Sequence, residues 1–257
     1  LVDAGSALGG SSSPLQQVDC LYGEPVRTNL STNPSFESNA TGWNASNATL
    51  TRVLGGYSGL YSARLSSMTS SVAVLETTST QVISVSPGNT YTASIYSKAS
   101  VLSRPTRVLL ALSFLNSSGG IIGYQSYSEY TALTADWVRR TVTGMAPADS
   151  VRAQVEVIYE VVSGVNFNAA DRIETDAFQF EIGGLATPYF DGSRQNAVWN
   201  GTANLSTSTY TPSEVSDLVD PDCPPLPAPP APPSIDEECI VDPTSWVRYT
   251  IDIPASA

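Results

Sequence analysis

Histidine is absent from the 257 residues. That removes Ser-His-Asp and Cys-His nucleophilic catalysis, the imidazole general base and the histidine-based zinc sites. Basic residues are scarce as well: 12 Lys and Arg stand against 24 Asp and Glu, for a net charge of −12. Binding to nucleic acid or to an anionic membrane surface requires clustered Lys and Arg, so both partners are excluded. No apolar run approaches the ~18 residues of a membrane span; the longest, around Val108 to Leu112, is strand-sized. Membrane insertion is therefore not expected. No P-loop and no dinucleotide-binding glycine motif follows a strand-like run. Cysteine is limited to Cys20, Cys223 and Cys239, an odd number that gives no disulfide framework. Cys223 and Cys239 flank a proline tract and either close it or remain free thiols, as a reducing compartment would leave them.

Ser, Thr and Asn supply the polar character, while Met and other helix formers are few. The Asn-x-Ser/Thr triplets at Asn29, Asn39, Asn44, Asn47, Asn116, Asn200 and Asn204 follow from that composition. Only in a secreted eukaryotic chain would they be glycan acceptors. From Asn29 to about Tyr189 short alternating runs recur, among them ATLTRVL, TQVISV, TYTASIYSK, TRVLLALSF, WVRRTVTG, VRAQVEVIYEV and IETDAFQFEI. Between them stand turn residues such as Gly55-Gly56, Pro87-Gly88-Asn89 and Ser118-Gly119-Gly120. Alternation with β-branched enrichment and no helical period predicts an all-β, two-sheet antiparallel β-sandwich. The organisation read from the chain is an N-terminal Gly/Ser-rich arm (1–27), the sandwich (28–192), an extension (193–222), a proline-rich linker (223–234) and the start of a further β domain (235–257). The last segment rests on the alternation of Trp246 to Ile253. A chain that opens on Leu1 without methionine reads as processed, or as part of a longer polypeptide.

Alternation also assigns faces. Val151, Ala153, Val155, Val157 and Tyr159 point to the core, with Arg152, Gln154, Glu156 and Glu160 outward. Tyr91, Ala93 and Ile95 point in, with Thr92, Ser94, Tyr96 and Lys98 outward. Val108, Leu110, Leu112 and Phe114 point in, with Arg107 outward. Tyr96, Lys98, Arg107, Gln154 and Glu156 together would give an outward face carrying a ring with cationic, amide and carboxylate neighbours. A ring offers an apolar plane to a pyranose and the polar groups satisfy its hydroxyls. The same face could equally be solvated, or covered by another subunit. Tyr124, Tyr127 and Tyr130 read either as a loop of adhesive rings or as a strand with Tyr124 and Tyr130 in the core. A glycosidase needs two carboxylates about 5–9.5 Å apart. Glu156 and Glu160, four residues apart on a strand, are separated by about 13 Å. No enzymatic activity is expected.

Several stretches occur in an order that resembles the family 4/9 carbohydrate-binding-module jelly roll. They are NLSTNPSFESNATGW (29–43), GGYSGLYSARL (55–65), VSPGNTYTASIYSKA (85–99) and the strand at Trp137. The resemblance implies a jelly roll and a structural calcium ion held by Glu37 and Asp176, since hard calcium prefers carboxylate and carbonyl oxygen; the alternative is that the two carboxylates cap turns or accept backbone hydrogen bonds. A narrower resemblance is carried by DAFQFEIGGLATPYFDG (176–192), the Trp199-Asn200-Gly201-Thr202 run, the proline tract and a Tyr-Thr-Ile-x-Ile-Pro strand at 249–254. These are similar to minor tail proteins of actinobacteriophages. That resemblance implies a virion location, other phage tail proteins and host cell-surface polysaccharide as partners, and a homo-oligomer. Its rivals are a binding module of a secreted bacterial glycoside hydrolase or surface protein, and a purely architectural spacer.

Overall fold

The computed structural model describes residues 25–212, apart from Thr80 and Val82. The three cysteines, most of the N-terminal arm, the acidic stretch 217–222, the proline tract and the expected strand 246–253 lie outside the described residues.

The described residues form strands and no helix. In chain order these are β1 (Arg27–Asn29), β2 (Trp43–Ser46), β3 (Thr49–Leu54), β4 (Tyr61–Ser66), β5 (Val72–Thr77), β6 (Ile83–Ser84), β7 (Thr90–Val101) and β8 (Thr106–Leu115). There follow β9 (Ile121–Tyr127), β10 (Thr131–Ala132), β11 (Val138–Met145), β12 (Arg152–Val161), β13 (Arg172–Ile182), β14 (Ala197–Trp199) and β15 (Ser208–Tyr210). The larger sheet runs β10-β8-β12-β5-β2, with β9 also on β8 and β6 also on β12. The five-stranded sheet runs β11-β7-β13-β4-β3, and a small third sheet runs β1-β15-β14. Neighbouring strands are antiparallel, and the two large sheets make the sandwich predicted from alternation.

The core holds the inward residues of both sheets. Val108, Leu110, Leu112, Val155, Val157 and Leu75 come from one; Ala93, Ile95, Leu65, Phe178 and Phe180 come from the other. Each large side chain withdrawn from water contributes roughly 1.5–3 kcal/mol, which is why alternation sets the faces so firmly. Tyr159 carries a hydroxyl into this interior and finds partners on the opposite sheet, Ser97 Oγ at 2.9 Å and Thr175 Oγ1. It thus joins the layers by polar contact as well as packing.

One face assignment differs from the expectation, and one outward pair is covered. Val151 is 41% exposed. It lies in the turn before β12, where its carbonyl and amide bond to Val85 and Leu115 rather than following the strand's pleat. Thr92 and Ser94 do point outward but are buried. Thr92 donates to the Gly183 carbonyl at 2.7 Å, and Ser94 accepts from Arg139 at 2.7 Å. The chain after β13 returns over this end of the sheet: Glu181 and Gln179 bond Thr187, and Gln179 accepts the Phe190 amide. Tyr127 belongs to β9 and Tyr130 stands just before β10, both substantially exposed, so neither ring is in the core.

Residues 193–210 also fold back. Strand β15 pairs with β1, Thr28 opposite Thr209, so the chain after the sandwich closes on the strand that begins it. Buried Asn29 fastens this junction. Its amide donates to the carbonyls of Phe178 (3.1 Å) and Phe190 (3.3 Å), and its Oδ1 accepts from the amides of Ser31 and Phe180, both at 3.1 Å. Asn29→Ala leaves four buried backbone groups without partners, each costing about 1–3 kcal/mol. The expected outcome is a drop of at least about 3 kcal/mol in urea-unfolding stability. A loss below about 1 kcal/mol would mean that water or neighbouring groups replace the side chain.

Candidate functional site

The five outward residues singled out from the sequence do not share a face. Tyr96 and Lys98 lie on β7 in the five-stranded sheet, whereas Arg107, Gln154 and Glu156 lie on β8 and β12 in the larger one. Alternation within a strand is silent on which sheet the strand joins, so residues of equal polarity were divided between the two outer surfaces of the sandwich.

On the larger sheet, strand register lines up outward residues in transverse rows. One row is Asn44, Glu76, Glu156, Ala111 and Tyr127, each directly opposite the next. Glu76 accepts from the amides of Asn44 (2.9 Å) and Gln154 (3.2 Å). Burial raises the Glu156 pKa, and the adjacent Glu76 charge raises it further. Beside this row a hollow of about 380 Å³ is lined by Asn44, Glu76, Gln81, Arg152 and Gln154 among others. At the far flank Tyr127 is 57% exposed, and Arg107 bonds Glu160 at 2.9 Å while lying 3.9 Å from the Tyr130 ring centroid. The surface is open, rich in amide and carboxylate groups, and edged by rings. Asn44 and Glu76 were missed in the sequence; the alternation of VAVLET would have turned Glu76 outward, but β2 is too short to reveal Asn44.

The five-stranded sheet carries a different outward set. Here Lys98, Glu174, Arg64 and Thr51 follow one another across β7, β13, β4 and β3. Glu174 pairs with Arg64 at 2.5 Å and Lys98 at 3.1 Å. Burial alone would raise Glu174, but the two cations hold its carboxyl below the usual range. In the next row Arg139 stands opposite Tyr96. The Tyr96 ring stacks on Tyr57 at 3.6 Å and 15°. Burial, with the Tyr57 hydroxyl beside it, pushes Tyr96 up to about 12.

Tyr57 is positioned by the loop 56–61, and that loop is held by two carboxylates from distant parts of the chain. Asp176 Oδ2 accepts the amides of Tyr57 (2.7 Å) and Ser58 (3.0 Å). Glu37 Oε1 accepts those of Leu60 and Tyr61, both at 2.9 Å. Close approach depends on glycine: a Cβ at Gly59, whose φ is +76°, would sit 2.5 Å from Glu37 Oε1. One at Gly56 would meet the Tyr61 carbonyl at 2.4 Å. Both carboxylates adjoin left-handed non-glycine backbone, Phe36 at φ 55° and Ala177 at φ 54°, and Ala177 lies at the register shift of β13. Such conformations cost of order 1–3 kcal/mol each and persist where surrounding structure enforces them. Asp176 is fully buried, and its Oδ1 has no hydrogen-bond partner. Burial pushes its pKa up to about 8, with the Glu37 charge adding to the rise and the loop amides opposing it. Among the described residues no group of three or more His, Cys, Asp or Glu gathers as a metal cluster. A cation here would need backbone carbonyls beside these two acids.

The sequence model of a family described as a carbohydrate binding domain matches residues 28–161. No curated protein matches the chain. Similar solved structures include the CBM22-1 xylan-binding domain of Paenibacillus barcinonensis Xyn10C, 18% identical, covering 60% of this chain and 94% of that one with a TM-score of 0.45. The CBM22-1–GH10 modules of Clostridium thermocellum xylanase Xyn10B, complexed with xylohexaose, are 15% identical over 64% of this chain and 30% of that one, TM-score 0.47. The enzymatically active domain of bacteriophage CBA120 tailspike protein 4 is 17% identical over 60% of this chain, TM-score 0.46; the match spans 21% of the tailspike chain.

If Glu37 holds the loop as described, Glu37→Ala releases the Leu60 and Tyr61 amides. Their hydrogen exchange is expected to accelerate at least ten-fold while core amides such as Val157 are unchanged. Unaltered exchange at Leu60 and Tyr61 would show that the loop is fixed by other means.

Proposed function

Because this chain belongs to the carbohydrate binding domain family, matched over residues 28–161, we propose that it binds polysaccharide on the outward face of the larger sheet and performs no catalysis there. The observation that carries this reading is the hollow beside the Asn44–Glu76–Glu156 row, with amide, carboxylate and guanidinium groups convergent on an open strand surface. Sugar hydroxyls donate to Glu76 and Glu156 and accept from Asn44, Gln154 and Arg152, while the exposed Tyr127 ring offers an apolar plane. Glu76 and Glu156 stand side by side on one face, so they cannot flank a glycosidic bond from opposite sides as acid and nucleophile do. Both are instead placed to accept hydrogen bonds.

The expected result is saturable binding to one of a panel of xylan, mixed-linkage glucan, galactan and actinobacterial cell-wall polysaccharide. Gln154→Ala and Tyr127→Ala should each weaken it about ten-fold, the equivalent of roughly 1.4 kcal/mol. A folded protein that binds none of the panel would sink this reading. The narrower assignment, a minor tail protein of a virion contacting host-surface polysaccharide, is supported by the 176–192 and 199–202 stretches. Binding confined to the cell-wall polysaccharide would favour it, and binding to plant glycans would favour a module of a secreted bacterial glycoside hydrolase or surface protein.

The residues around loop 56–61 fit a hard cation. Asp176 has a buried oxygen without a partner, Glu37 is close enough for its charge to act on Asp176, and the glycines leave a cradle against both. Glu37 and Asp176 would hold calcium together with loop carbonyls, and its charge would offset the cost of burying Asp176 beside a second acid. Calcium is expected to raise the unfolding temperature by several degrees over protein in chelator. Asp176→Asn should abolish that increment; an increment that survives the substitution would place the cation elsewhere.

A further inference from the structure

We infer a second ligand site on the outward face of the five-stranded sheet, where Tyr57, Trp137 and Arg139 form a platform for a polysaccharide whose pyranose units carry carboxylates. The face is back to back with the hollow and differs from it in charge. The larger sheet's outward face carries Glu76, Glu156 and Glu160 with Arg107 and Arg152. The platform carries Arg64, Lys98 and Arg139 against two carboxylates in the same rows: Glu174, shared between Arg64 and Lys98, and Asp176, fully buried opposite Tyr96. Asp176 and the other acids nearby are occupied or peripheral. Asp176 and Glu37 bind the amides of the Tyr57 loop, and Asp136 is exposed on the turn before Trp137.

Arg139 sets this face apart. Its neighbour Arg140 is buried and satisfied, donating to Thr131 Oγ1 and to the carbonyls of Ser97, Val138 and Ala132. The Arg139 side chain makes one hydrogen bond, to Ser94 Oγ at 2.7 Å, lies 5.7 Å from the Tyr96 ring centroid, and has no ion pair among the described residues; its Nε is buried without a partner. A guanidinium offers five donors in a fork that matches a carboxylate, so most of its capacity is unspent. In a chain of net charge −12, an arginine without an ion pair, beside the exposed Tyr57 and half-buried Trp137 rings, suits an anionic partner.

The rings supply the other half of the recognition. Tyr57 is 44% exposed and is backed on its inner side by Tyr96. Trp137 stands edge-on to Tyr57 at 6.2 Å, with Lys98 Nζ 4.6 Å from its centroid. Trp137, immediately before β11, and Arg139, its second residue, are at most about 7 Å apart along the chain. A sugar ring resting on the aromatic surface therefore brings its carboxylate within reach of the arginine fork. With the hollow facing the other way, one molecule could hold a neutral chain on one face and an acidic chain on the other.

The test is titration of the full chain with polygalacturonate, followed by tryptophan fluorescence and by affinity electrophoresis. Saturable binding is expected, weakening as salt is raised. Arg139→Ala and Trp137→Phe should each weaken it about ten-fold, and Trp137→Phe should also remove most of the fluorescence change. Trp137→Phe keeps a ring on the sheet, so it remains informative if Arg139→Ala fails to fold. Gln154→Ala, which acts on the opposite face, should leave polygalacturonate binding intact while weakening the neutral-glycan binding proposed above. The two sites can therefore fail separately. Absence of binding by the wild-type chain, wild-type affinity in both platform variants, or equal loss in Gln154→Ala would each overturn the inference.

Discussion

Two carboxylates that bind backbone amides, the buried Asp176 and the half-buried Glu37, hold this sandwich's surface in place. Glu37 comes from the chain just after β1 and Asp176 from β13, yet both grip the loop between β3 and β4. Burying an acid beside a second one is unfavourable unless it is well supplied with donors or with a cation. The backbone around them shows that cost in left-handed Phe36 and Ala177, and in two glycines whose replacement would collide with a carboxylate or a carbonyl. What the arrangement achieves is closure. The beginning of the domain, its last long strand and an intervening hairpin become one unit, and Asn29 repeats the connection a few residues away with neutral groups.

The same closure sets up the outer surface. Tyr57 would be a free ring on a glycine-flanked loop; held at its amide by Asp176, it is laid against Tyr96. A ring whose position is fixed before a ligand arrives loses little conformational freedom on binding, which is how a small aromatic surface becomes useful. The larger sheet reaches the same end without a loop. Its outward side chains sit in register across β2, β5, β12 and β8, and the hydrogen-bonded ladder itself spaces them.

These relationships explain what could be read from the sequence. The inward sets on β7, β8 and β12 were legible because each strand is long and an apolar side chain on the wrong face costs too much to tolerate. Val151 departed from its set because it precedes the strand, where turn hydrogen bonds override the pleat. The assignment of strands to sheets was not legible, since β7 and β8 are consecutive yet belong to different layers. Hence Tyr96 and Lys98 were grouped with Arg107, Gln154 and Glu156 although the core lies between them. Glu37 and Asp176 carry no pattern of their own; only resemblance brought them together, and their shared loop is visible only in three dimensions.

A β-sandwich has two outward faces, and nothing in its folding requires both to be inert. The core consumes one side of each strand, leaving the other side free to differ in charge at little cost to stability, because exposed substitutions seldom matter by more than a few tenths of a kcal/mol. The two faces here differ in that way, with Glu76, Glu156 and Glu160 exceeding the cations on one and Arg64, Lys98 and Arg139 exceeding the acids on the other. Open strand surfaces suit extended polymers, because outward rows recur about 7 Å apart along the strands. Catalysis on a small substrate would instead need groups converging from opposite sides of a cleft. The architecture places acids and rings side by side on one face, which is the arrangement that the proposed binding role uses.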